Sequence, residues 1–173
     1  MLLKICDEIE SCLRNENYIA ALTLALTIPD ICGKAEFSNY SGSKKKYISW
    51  YDSHFHMIYL KEEQKDFPII DGSIIYDLRC QMLHFGNPGI NDKSKFCNFV
   101  IEYGKDKTRD GSRMNVTKRT DTGEMKFTYY FNLNEFCVNM VSMARYSYEN
   151  NSEKYNFFNY RFINHDNPTE VEV

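Results

Sequence analysis

The stretch IIDGSIIYDLRCQMLHFGNPG, residues 69–89, decides how the rest of the chain is read. Asp71 or Ser73 can cap a helix here, because either side chain offers an oxygen to the first free backbone N–H groups. Ile74, Ile75, Leu78, Met82 and Phe85 then recur at helical spacing, and Gly86-Asn87-Pro88-Gly89 halts the run. Tyr76, Cys80 and Leu83 form a second apolar strip at i, i+4, i+7. A helix that is apolar on two sides is either internal or packs on a partner chain. Arg79 and His84 flank the second strip. In a regular α-helix they lie about 140° apart around the axis and about 7.5 Å apart along it, on opposite shoulders. Two polar residues so placed suit a symmetric interface, where a second copy completes the site.

Working outward, residues 2–14 place Leu2, Ile5, Cys6, Ile9, Cys12 and Leu13 on one face, with the charges opposite. Asn17 is in position to cap a second helix through its side-chain oxygen. That helix is apolar nearly all round from Tyr18 to Ile28 and is expected to be central and buried. Pro29 should kink or end it, Asp30 is available as a new cap, and Gly33 supplies a stop. Residues 37–46 read as a polar loop, followed by an aromatic-rich helix through KYISWYDSHFHMIYL in which Trp50 anchors the core.

Beyond residue 95 the pattern changes. FCNFVIEYG (96–104), SRMNVTKR (112–119) and EMKFTYYFN (124–132) are β-branched and aromatic runs, separated by Asp110-Gly111 and Thr122-Gly123. They predict a small antiparallel sheet or two hairpins. From Leu133 the helical period returns, with Phe136, Cys137, Met140, Val141, Ala144 and Tyr148 in phase. The tail from 152 reads as an extended segment packed on the body with a frayed acidic end. The fold class expected is mainly α: one domain over 1–173, a helical bundle with an antiparallel β insertion at about 96–132 before the last long helix.

Composition narrows the function. The 173 residues carry 21 Lys and Arg against 24 Asp and Glu, which removes the reading of a broadly cationic nucleic-acid binder. Charge is uneven, however. Residues 93–119 hold eight basic and three acidic side chains, a local +5, whereas residues 1–36 carry a local −3. Lys105, Lys107, Arg109, Arg113, Lys118 and Arg119 make the β insertion either a phosphate-facing patch or a solvated edge protected from strand pairing. The six cysteines show no C-x-x-C spacing and read as reduced core thiols, with no metal or cofactor implied. His54 and His56, two apart, point to different helix faces and make poor joint metal ligands. Charges within the first ten residues break any signal-peptide core, and no window reads as a membrane span, so a cytoplasmic protein is expected. No P-loop, G-x-G-x-x-G, H-E-x-x-H or G-x-S-x-G string occurs.

The Arg79–His84 pair is what could carry chemistry. His84 lies in the last turn, where the negative end of the helix dipole favours the imidazolium form. Arg79 offers a permanently charged fork to phosphate oxygens. A proton-moving His and a phosphate-binding Arg suffice for metal-free RNA cleavage, because the 2′-OH serves as internal nucleophile. The structural alternative pairs Arg79 with Asp71 or Asp77 nearby.

Arg, four residues, then His, near the end of a helix in a helical domain, resembles the R-x4-6-H motif of the HEPN superfamily. The order ALTLALTIPDICGKAE, YISWYD, YDLRCQMLHFGNP within residues 18–89 also resembles a group of bacterial proteins that carries no known activity with it. The HEPN resemblance implies a metal-independent ribonuclease of toxin, phage-defence or RNA-processing systems. It implies a homodimer through the 71–86 helix, Arg79 and His84 as the catalytic pair, and Tyr76 or the basic 105–119 segment on the RNA. The residue after the Arg is usually Asn, Asp or His in active members, and here it is Cys80. The alternative is a catalytically silent HEPN-like dimer that binds a partner protein or nucleotide, or a component active only with a cognate partner.

Overall fold

A computed structural model describes residues 1–55, 70–85, 98–104, 112–118, 125–157, 162–163 and 171–172. The protein is mainly helical. Helices α1 (Leu2–Arg14), α2 (Tyr18–Ala25), α3 (Ile28–Glu36), α4 (Ser43–Phe55), α5 (Gly72–Cys80) and α6 (Leu133–Asn151) enclose the core, and a small sheet precedes α6. Helix α1 packs on α2 and α6, whereas α3, α4 and α5 pack in series. The α1 face is the one its periodicity predicts, with Leu2, Cys6 and Ile9 buried. On α6 the buried set Leu133, Phe136, Cys137, Met140, Val141 and Ala144 likewise follows the expected phase.

The α2–α3 region departs from expectation. The break falls at Leu26–Thr27, before the proline, and Pro29 sits in the first turn of α3, where its missing N–H has no helical partner to lose. Asn17 is the N-cap of α2 but makes no side-chain capping bond. Asp30 and Gly33 lie inside α3, neither capping nor ending it. What Gly33 provides instead is clearance. A Cβ there would stand 2.6 Å from the Lys46 carbonyl oxygen, so its absence lets α3 and α4 touch backbone to backbone. Gly72 does the same between α5 and α4, with Ile48 Cα and O at 2.9 Å from such a Cβ. Not all of α2 is buried, since Ile19 is 55% exposed. Contrary to the expectation of no membrane-like window, Tyr18–Glu36 is long and apolar enough to cross a membrane; half of it is buried among the other helices.

The helix expected from residue 46 begins earlier, at Ser43, which places Lys44, Lys45 and Lys46 in its first turn. Trp50 anchors the core, fully buried, with its indole N–H donating to Glu36 Oε1 (3.1 Å) and Ser147 Oγ (3.3 Å). The Tyr155 hydroxyl donates to the same Glu36 oxygen (3.2 Å), tying the 3₁₀ turn Ser152–Tyr155 to α3. Burial pushes the Cys6 thiol up to about 11 and the Cys137 thiol up to about 12, and raises Cys32 as well, so all three stay protonated at neutral pH.

Strands β1 (Asn98–Glu102), β2 (Arg113–Lys118) and β3 (Met125–Asn132) fall within the three predicted runs. The sheet is mixed, though. β2 and β3 pair antiparallel, whereas β1 lies parallel to β3 on its other side, in the order β1-β3-β2. β1 and β2 are therefore not hairpin partners; Asp110-Gly111 and Thr122-Gly123 lie outside the described residues. Asn132 ends β3 and caps α6, accepting from Glu135 N at 3.0 Å. Glu135 Oε2 accepts from Ser112 N at 2.8 Å, and Ser112 Oγ accepts from Asn132 N at 3.0 Å. The tail is not frayed throughout: β4 (Phe162–Ile163) pairs antiparallel with β5 (Val171–Glu172). The Gly86–Gly89 stop and His56 lie outside the described residues.

Candidate active site

Asp71 opens α5 by accepting from Ser73 N and Ile74 N, both at 3.1 Å, as the sequence predicts. Gly72 N donates to Asp52 Oδ1 at 2.6 Å and fixes the start of the helix against α4. Ile74, Ile75 and Leu78 are buried, and Tyr76, Cys80, Met82 and Leu83 are half-buried.

The far end of this helix overturns the expected geometry. Gln81–Phe85 forms a π-helical turn, in which hydrogen bonds reach five residues rather than four. Residues five apart then lie on the same side instead of opposite shoulders. Arg79 Nη1 stands 3.4 Å from His84 Nε2 within one protomer, a long contact in which the guanidinium can only be the donor. The pair meets without a second copy.

Arg79 finds its carboxylate on α3, not at Asp71 or Asp77. Its Nε and Nη2 each lie 3.1 Å from Asp30 Oδ2. Burial pushes the Asp30 carboxyl above its ordinary value, against the pull of Arg79. Desolvation would lower Arg79, but Asp30 and Cys80 outweigh it and hold the guanidinium more firmly charged. Cys80, the residue after the Arg, is half-buried one turn on from Tyr76 in the same helix. Burial, with Cys80 adding to it, raises the Tyr76 hydroxyl. The Tyr76 ring stands edge-on to fully buried Tyr47 at 5.2 Å. Lys44 Nζ lies 5.2 Å from its centroid and Arg79 Cζ 6.0 Å.

The sign of the Asp30 shift gives a stability prediction. A carboxyl with a raised folded-state value stabilises the fold while protonated, and that contribution is lost as pH rises through the raised value. Asp30→Asn removes the dependence. The wild type should therefore lose ground to Asp30→Asn in urea midpoints measured from about pH 3 to about pH 6. A gap that instead moves in the wild type's favour would show that Arg79 dominates burial.

Of the other sequence-predicted residues, Arg113 and Lys118 lie at the two ends of β2, opposite Tyr130 and Met125 of β3. Lys105, Lys107, Arg109 and Arg119 lie outside the described residues. Sequence reasoning missed Asp30 and Lys44, reading one as a cap and the other as loop. The signal for Lys44 was the three-lysine run directly before an aromatic helix. His54 is structural, stacked on Trp50 at 4.6 Å, with Nδ1 2.9 Å from the Trp50 carbonyl oxygen. Among the described residues no three His, Cys, Asp or Glu side chains form a group that could hold a metal ion. A small open cleft of about 40 Å³ lies elsewhere, between Tyr51 and Phe55 of α4, Tyr129 of β3 and Glu135 of α6.

Compared with protein-family models, curated proteins and solved structures, the chain matches none. Fold and cluster together define a mainly helical domain with an Arg–His pair at a helix end, braced by a carboxylate from a neighbouring helix.

Proposed function

We propose that the protein is a HEPN-like, metal-independent endoribonuclease that cuts single-stranded RNA, acting in the cytoplasm as a homodimer through α5. The observation that carries this reading is the 3.4 Å approach of Arg79 Nη1 to His84 Nε2 at the exposed end of α5. π turns concentrate at functional sites, and this one brings together the two groups that phosphodiester transfer needs. His84, as a neutral imidazole, takes the proton of the ribose 2′-OH. The 2′ oxygen bonds to phosphorus while the bond to the 5′ oxygen breaks. Arg79 stabilises the charge that gathers on the phosphoryl oxygens, and a proton passes to the departing 5′ oxygen. The products are a 2′,3′-cyclic phosphate and a 5′-OH. In a dimer the second His84 is the natural acid for that last transfer. A role in a bacterial toxin or phage-defence system, with a cognate protein partner, accords with this chemistry.

A second reading has its own observation. Asp30 engages the Nε–Nη2 edge of Arg79, the edge best suited to forked binding of phosphate. That arrangement favours a catalytically silent dimer that binds a partner protein or a nucleotide.

Labelled single-stranded RNA incubated with the protein in EDTA separates the two. The nuclease reading expects cyclic-phosphate ends on RNA and no cutting of the same oligonucleotide built from 2′-deoxyribose. Intact RNA, or equal cutting of both strands, overturns it.

A further inference from the structure

Resting on that reading, we infer that Lys44 is the second phosphate contact of the site, so that the substrate is a strand with consecutive phosphates rather than a single nucleotide. Three observations converge. First, one aromatic ring gathers both cations: Lys44 Nζ is 5.2 Å and Arg79 Cζ 6.0 Å from the centroid of Tyr76. Second, this ring has a firm backing. Tyr47, against which it stands at 78°, is fully buried, and its hydroxyl donates to the Leu26 carbonyl at 3.1 Å. The ring that both cations face is therefore itself a fixed support. Third, apart from its contact with the Tyr76 ring, Lys44 is poorly served by its place in the fold. It lies in the first turn of α4, where the helix dipole disfavours positive charge and no acidic residue offsets it. Among the described residues no carboxylate pairs with it, whereas Arg79 is braced by Asp30.

The roles divide by chemistry. Arg79, with its Nη1 turned to His84, serves the phosphate at which the bond breaks. Lys44 is an exposed, compact point charge on a flexible stem, suited to a neighbouring phosphate that needs attraction but no fixed geometry. Lys44 touches substrate without touching the reacting atoms, so it sets affinity and strand preference.

The test is equilibrium binding of a fluorescent single-stranded RNA across a salt series, using the full chain with His84→Ala to prevent cutting. Each phosphate contact on a single strand contributes about 0.7 to the slope of log affinity against log salt. Lys44→Ala in that background should flatten the slope by about 0.7 and weaken binding about fivefold near 0.1 M salt. Lys44→Arg should keep the slope, and Lys4→Ala on α1 should leave it unchanged. Binding of uridine 3′-monophosphate should be the same with and without Lys44. An unaltered slope in Lys44→Ala, a mononucleotide affinity that falls with it, or no RNA binding at all overturns the inference. Failure of the nuclease reading looks different: a Lys44-dependent slope in a protein whose His84-bearing form cuts nothing leaves the contact standing and removes the chemistry.

Discussion

Trp50→Ala is expected to lower the unfolding free energy by about 3–5 kcal/mol, the range for deleting a large buried aromatic. Trp50 is fully buried where α3, α4 and α6 meet. The loss has two parts. The larger is the cavity left beside His54 and Phe55, whose rings lie 4.6 and 6.2 Å from the indole. The smaller is the removal of a donor from Glu36 Oε1, which would keep the Tyr155 hydroxyl and lose the indole N–H. Trp50→Phe separates the two, since it keeps most of the volume and drops the N–H. It should cost about 1–2 kcal/mol. Far-UV circular dichroism in urea measures both, because Trp50 is the sole tryptophan and its fluorescence leaves with it. Equal losses in the two variants would place the energy in the hydrogen bonds rather than the packing.

His84→Ala should lower RNA cleavage by about 10²–10⁴, the usual contribution of a positioned acid or base. Its thermal midpoint should stay near that of the wild type, because His84 is exposed and fills no part of the core. This contrast with Trp50 is the useful part of the result: a residue whose loss empties the activity while sparing the fold is acting on substrate. Arg79→Lys sharpens the assignment. It keeps the charge but cannot present Nη1 to His84 while Nε and Nη2 hold Asp30. Cleavage by that variant should fall about 10²-fold. Cleavage that survives His84→Ala removes the imidazole from the mechanism.

How far the sequence could lead is clearest at α5. Its cap and its apolar stripe were legible, and so were the positions of Arg79 and His84, because each rests on residue type and spacing alone. The contact between the pair was not. A periodicity of 3.6 residues was assumed through residue 85, and nothing in QMLHF marks the wider turn that the helix adopts there. The same limit hid Asp30. An aspartate following a proline reads as a cap, and only the close approach of α3 to α4, and of α4 to α5, brings it to Arg79, 49 residues away in the chain. Gly33 shows the rule from the other side: it looked like a stop, but its value lies in a side chain's absence beside Lys46, which only the packed structure reveals. In the sheet, β-branched and aromatic runs located all three strands, yet such runs carry no information on which strands are neighbours. β1 could thus be placed in the chain and not beside β3.

The widened turn at the end of α5 has a consequence for how this segment tolerates changes in length. It accommodates one residue more than an ordinary coil of the same height, and that spare residue lets a spacing of five do the work of four. Shortening Gln81–Leu83 by one would relax the turn to regular winding and still leave guanidinium and imidazole stacked on one side. Lengthening it by one would exhaust the slack and swing the imidazole away. The segment behaves as a one-way ratchet, forgiving loss and punishing gain.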